Sequence, residues 1–174
     1  MLMNLLFPFI ISTLAIFLFY TYFLVLQKYK NNFDLLWMDI PKQNRQLYVF
    51  FQLLALIGGT ILIIFWLMSP PNKGLMSSSY IRNMTFVILL ISAITWSIGM
   101  LYYPSKLSHI LVILGLILTA LSSIALLAGA LEDRSNKSSR DSWLWLQTLA
   151  AILLSIVTVL LDGVGWLANY ILKL

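Results

Sequence analysis

Residues 5–26 run without one charged side chain, and four further apolar stretches follow at 47–68, 84–103, 107–131 and 143–166. Each reaches the length of about eighteen apolar residues that spans a bilayer's hydrocarbon core. Lipid offers no partner for a free backbone N–H or C=O, so runs this long and this apolar must be helices. The pattern predicts an all-α polytopic membrane protein, a bundle of five transmembrane helices forming a single domain over residues 1–174.

Punctuation between the runs is clear. Asn4 can cap the first span, with Pro8 in its first turn, where a missing N–H costs little. Tyr20, Tyr22 and Tyr29 mark its far interface, followed by Lys28 and Lys30. Ser69-Pro70-Pro71 closes the second span. Pro104 leaves only a few residues between the third and fourth spans, which must therefore form a tight antiparallel hairpin. The segment from Glu132 to Ser142, rich in both acids and bases, has the composition of a solvated turn.

The longest connection, 28–46, has a pattern of its own. Phe33, Leu36, Trp37 and Ile40 fall at i, i+3, i+4 and i+7, with Asp34 and Asp39 off the stripe. This spacing predicts a short amphipathic helix over about 32–40, lying in the membrane interface and offering those four side chains to lipid or to a partner. Pro41 would end it.

Small residues recur at four-residue spacing: Gly115, Thr119 and Ser123, then Ala125 and Gly129 in the fourth span, and Ala55 with Gly59 beside Gly58 in the second. Lipid tails are as apolar as leucine, so helices associate by close packing along such seams. Gly58, Gly59, Gly115, Thr119, Ser123 and Gly129 are thus the candidate packing positions. The first span, with Phe7, Phe9, Phe17, Phe19 and Phe23, is bulky and suits the periphery of the bundle.

Composition narrows the class further. Hydrophobic residues make up 61% of the chain and charged residues 10%, and no loop could fold a soluble domain with its own core. The net charge of +5 is placed in loops and helix ends, as expected where basic side chains meet headgroups. No basic face interleaved with aromatics points to nucleic acid. Six Lys or Arg on the side of the first connection face five on the other, which leaves the positive-inside rule undecided. The step across the first span, uncharged before it and Lys28 with Lys30 after it, favours an outside N-terminus and an inside C-terminus. The first span is expected to be uncleaved, since it is too long for a signal's apolar core.

Candidate chemistry is sparse. One histidine, six acids and no cysteine leave no catalytic constellation, no metal ligand set and no cofactor to assign. His109 is placed at headgroup depth. Asp162 is the one acid inside a span, and intramembrane acids are functional candidates by default. Trp143 and Trp166 lie roughly 34 Å apart along a helix, about one bilayer with its aromatic belts, which puts Asp162 near an interface. Gln52 and Gln147 complete the candidate intramembrane polar site. With spans one to four free of charge, proton-coupled transport is disfavoured. The expectation is a non-enzymatic scaffold or accessory subunit of a larger membrane assembly, in contact with lipids and other membrane subunits. A small oligomeric channel or transporter is the alternative. No soluble substrate is evident.

Overall fold

A computed structural model describes residues 2–37, 42–68, 78–136 and 142–166. Among them every long element is helical: α1 (Leu2–Tyr29), α2 (Phe33–Leu36), α3 (Lys42–Met68), α4 (Ser79–Tyr102), α5 (Lys106–Asn136) and α6 (Ser142–Ile156). A wide-turned π segment, Val157–Trp166, continues α6. Five helices are long and apolar enough to cross a membrane, so the chain is a multi-pass integral membrane protein. The side of the bundle where α1 ends is its near side.

The helices outrun the apolar stretches. α1 begins at Leu2, so Asn4 and Pro8 lie inside it rather than at its cap and first turn. α3 absorbs residues 42–46, expected as loop. α4 includes Arg82, and the 31 residues of α5 run on through Glu132, Asp133 and Arg134. At 1.5 Å per residue α5 is roughly 46 Å long, well beyond the hydrocarbon core. Intrahelical hydrogen bonding continues wherever nothing breaks it, and no Pro or Gly stands between Ala130 and Asn136 to do so.

The connection after α1 differs most from its expected form. In place of a helix over 32–40, the described residues hold the single turn of α2. Leu36 is buried, and Trp37 packs half-buried against a cluster built from Val25, Tyr29, Trp96, Met100, Val112 and Leu116. Both side chains are thus held by the bundle. Ile40 lies outside the described residues, and the side chain of Phe33 is likewise outside the description. Asp34 points the other way and ties the turn to α3 through Arg45 and Lys42, the latter at 3.5 Å.

That tether titrates. The hydrogen bond from Arg45 holds the exposed Asp34 carboxyl below the usual carboxylate range, with Lys42 adding to the effect. A carboxyl depressed in the folded chain contributes stability above its unfolded pKa and loses it as pH falls through the folded value. Backbone hydrogen exchange over 31–37, corrected for intrinsic rate, is therefore expected to accelerate in acid. Asp34→Asn should abolish that extra acid dependence. Equal pH profiles for both proteins would refute the tether.

Packing order across the bundle is α1, α4, α5, α6, α3, with the π segment set between α5 and α3. α4 and α5 form the expected antiparallel hairpin and are the most closely associated pair. A heptad stripe lies behind this pairing. On α5 the inward positions are Val112, Leu116, Thr119, Ser123, Leu126, Ala130 and Asp133; on α4 they are Arg82, Phe86, Leu89, Ala93, Trp96 and Met100. Alternate steps of three and four keep one face of a helix toward its partner, as in left-handed bundles.

Close approach depends on two glycines of that pair. A Cβ at Gly115 would fall 2.7 Å from the backbone N of Trp96 and 2.9 Å from the carbonyl O of Ser92. One at Gly99 would fall 2.9 Å from the backbone N of Val112. Gly58 plays the same part between α3 and α6, facing the carbonyl O of Ala150 at 2.8 Å, whereas Gly59 faces open space. Gly129 is buried on α5.

At the near side Lys28 reaches across to the C-terminus of α4. Its ammonium donates to the carbonyls of Met100 (3.2 Å), Leu101 (2.8 Å) and Tyr103 (3.0 Å), and the Tyr29 hydroxyl donates to Met100 as well. A cation there adds a donor to the carbonyls that end the helix and meets the negative end of the helix dipole.

Candidate functional site

Polar side chains inside the bundle fall into three layers. Nearest the middle, α5 bonds both neighbours. Thr119 Oγ1 donates to Ser92 Oγ of α4 at 2.9 Å. On the opposite flank Ser155 Oγ donates to the Ser123 carbonyl at 2.9 Å, and Thr158 Oγ1 donates to Ser123 Oγ at 2.5 Å. Each such bond stabilises a membrane bundle by about 0.6 kcal/mol, so this layer orients helices more than it holds them.

Toward the far side lies a layer that the charge pattern did not reveal. Arg82, Asp133 and Gln147 are 3%, 2% and 2% exposed. Gln147 Nε2 donates to Asp133 Oδ2 at 2.9 Å, and an Arg82 guanidinium nitrogen lies 3.9 Å from the same oxygen. Three helices thus meet on one carboxylate. Arg82 and Asp133 lie just outside the apolar stretches 84–103 and 107–131, in helices that run on past them. Next along the chain, Arg134 turns outward and stacks over the exposed Trp145 at 3.3 Å from its ring centroid. Adjacent charges therefore point in opposite directions, one to the core and one to the aromatic belt.

The third layer surrounds a small cavity on the near-side half, about 30 Å³, lined by Tyr22, Gln52, Ala93, Trp96, Leu116, Thr119 and Asp162. All five spans contribute to it. Tyr22 packs on Trp96 with ring centroids 5.4 Å apart. Asp162 is carried by the π segment, whose wide turns are rare and cluster at functional sites. The segment keeps Thr158 and Asp162 both toward α5. Its two glycines allow close approach: a Cβ at Gly163 would lie 3.6 Å from that of Ala120, and one at Gly165 only 2.5 Å from the Tyr48 hydroxyl.

The cavity brings together residues at different distances along their helices. Gln52 lies ten residues into α3 and Thr119 thirteen into α5, roughly 15 and 20 Å from those helix starts at 1.5 Å per residue. Asp162, three residues before the end of the span Leu144–Gly165, shares a cavity with both. Neither the Asp162 carboxyl nor the Gln52 amide has a hydrogen bond or ion pair to the described residues. Gln147 belongs to the far-side layer, so the two glutamines do not share a site. Between the layers stands an apolar barrier of Leu62, Phe86, Leu126, Ala130, Ala151 and Leu154.

The remaining candidates are peripheral. His109 Nδ1 lies 2.8 Å from the Ser105 carbonyl, and its ring is 5.5 Å from that of Tyr103. Among the described residues no three His, Cys, Asp or Glu side chains are grouped to hold a metal ion. Asp39 lies outside those residues. The missed far-side layer was signalled by register: Arg82 and Asp133 continue the heptads of Phe86 and Ala130. No family model matches this chain, and no curated protein or solved structure shows significant similarity to it.

Proposed function

We propose that the chain is a non-catalytic subunit of a larger membrane-embedded assembly. The observation that carries this reading is the shallow burial of two of its five spans. Only 17% of the apolar stretch of α1 and 11% of that of α3 is buried, against 50% for α4. Their outward faces carry large side chains, Phe9, Ile16, Phe19 and Phe23 on α1 and Phe50 and Leu53 on α3. Lipid contacts such a face, and so can the apolar wall of another membrane subunit. The polar groups around Ser123 and Asp133 are engaged with one another, and the cavity has room for water rather than for a metabolite.

A small oligomeric channel or transporter is the second reading, favoured by the acid and amide facing that cavity. The apolar barrier of Leu62, Phe86 and Leu126 weighs against a continuous path through one copy. Purification from the native membrane in mild detergent, followed by native mass spectrometry, separates the two. The subunit reading requires recovery with different proteins at fixed stoichiometry. Recovery alone, or as a closed homo-oligomer, overturns it and directs attention to flux measurements on Gln52 and Asp162 variants.

A further inference from the structure

We infer that the Asp162 cavity is a binding site for a single positive charge, a proton or a small monovalent cation that competes with it. An ionised carboxylate deep in a bundle is costly unless its charge is compensated. Compensation from the chain itself is absent among the described residues. Arg82 is committed to Asp133 in the far-side layer, and Lys28 to the carbonyls ending α4. Of the elements packed around the acid, α1 presents Tyr22 and α3 presents Tyr48, both within electrostatic reach. α4 and α5 offer Ala93, Trp96, Leu116 and Thr119, none of which carries charge. No described side chain balances Asp162, which leaves that charge to come from solution.

The cavity suits such a ligand in size and donors. Its volume of about 30 Å³ exceeds the roughly 10–15 Å³ that one water needs. Gln52 and Thr119 add hard oxygens to those of Asp162, the donor type that small alkali cations prefer over nitrogen or sulfur. The amide of Gln52 is free to turn either its oxygen toward a cation or its nitrogen toward a carboxylate. On its far side the cavity is followed by the apolar cluster of Leu62, Phe86 and Leu126. An apolar layer there implies binding without passage through a single copy.

The test uses the full chain in lipid nanodiscs with dicyclohexylcarbodiimide, a lipid-soluble reagent that captures protonated carboxyls as a stable adduct read by intact mass and peptide mapping. Labelling is expected at Asp162, falling as pH rises and lost in Asp162→Asn. Protection by Na⁺ or Li⁺, weakened in Gln52→Leu, assigns the site to a cation; pH dependence without protection by any alkali ion assigns it to the proton. Infrared difference spectra of wild type against Asp162→Asn guard against poor reagent access, because they report the protonated carboxyl directly. The proposal falls if those spectra contain no protonated carboxyl from Asp162 between mildly acid and mildly alkaline pH and no alkali ion perturbs its ionised band.

Discussion

Gly115→Leu is expected to disrupt the α4–α5 hairpin, while Gly59→Ala should leave the bundle as stable as before or slightly more so. The two glycines look alike in the chain, each in a small-residue pattern within a span. Around Gly115 the contacts are backbone atoms of α4, the Trp96 nitrogen and the Ser92 carbonyl, below 3.0 Å from a built Cβ. Backbone cannot rotate away as a side chain can, so the helices must separate. Overpacking of this kind costs about 1–3 kcal/mol and more when backbone must shift. Separation would also break the Thr119–Ser92 bond one turn away. At Gly59 nothing lies within 4 Å, and alanine in a helix gains about 0.5–1 kcal/mol over glycine. Unfolding of purified variants in a graded sodium dodecyl sulfate titration, followed by tryptophan fluorescence, would measure both. Equal effects at the two positions would show that close approach at Gly115 is not what holds the hairpin.

The second large effect is expected at the far-side carboxylate. Arg82→Ala or Asp133→Ala leaves a buried group without its counter-charge, a loss of about 3–5 kcal/mol for a pair this deeply enclosed. Replacing both partners, Arg82→Met with Asp133→Leu, should recover most of that loss and could exceed wild type, because neither charge then has to be dehydrated. At 3.9 Å the ion pair is long, whereas the Gln147 amide holds the same oxygen at 2.9 Å. Gln147→Leu in the double variant is therefore expected to stabilise it further. The same detergent titration gives the double-mutant cycle. Single variants as stable as wild type would place Arg82 and Asp133 in water rather than in the core.

Legibility of this fold followed the physics of each feature. The α4–α5 hairpin was readable because Pro104 and a short connection leave the third and fourth spans no other neighbour. Gly115, Thr119 and Ser123 were visible as a seam, yet Thr119 turns to α4 and Ser123 to α6, a division that spacing cannot express. Of the helix expected over 32–40 the described residues hold one turn, Phe33–Leu36, and Leu36 and Trp37, which periodicity offered to lipid or a partner, pack in the near-side cluster of α1, α4 and α5. Glu132, Asp133 and Arg134 looked like a solvated turn by composition. Their heptad register placed Asp133 inward, a stronger signal than charge.

The sequence by itself determined the membrane class, the five helices and the pairing of the third with the fourth. A bilayer imposes those through length, hydropathy and backbone hydrogen bonding, all of them local properties. Tertiary structure alone decided which polar side chains lie inside. Asp133 is tolerated in the core because Arg82 and Gln147 arrive from two other helices, and Asp162 faces a cavity because five spans converge on it. Whether a charge can be buried depends on what stands opposite it, and no single helix carries that information.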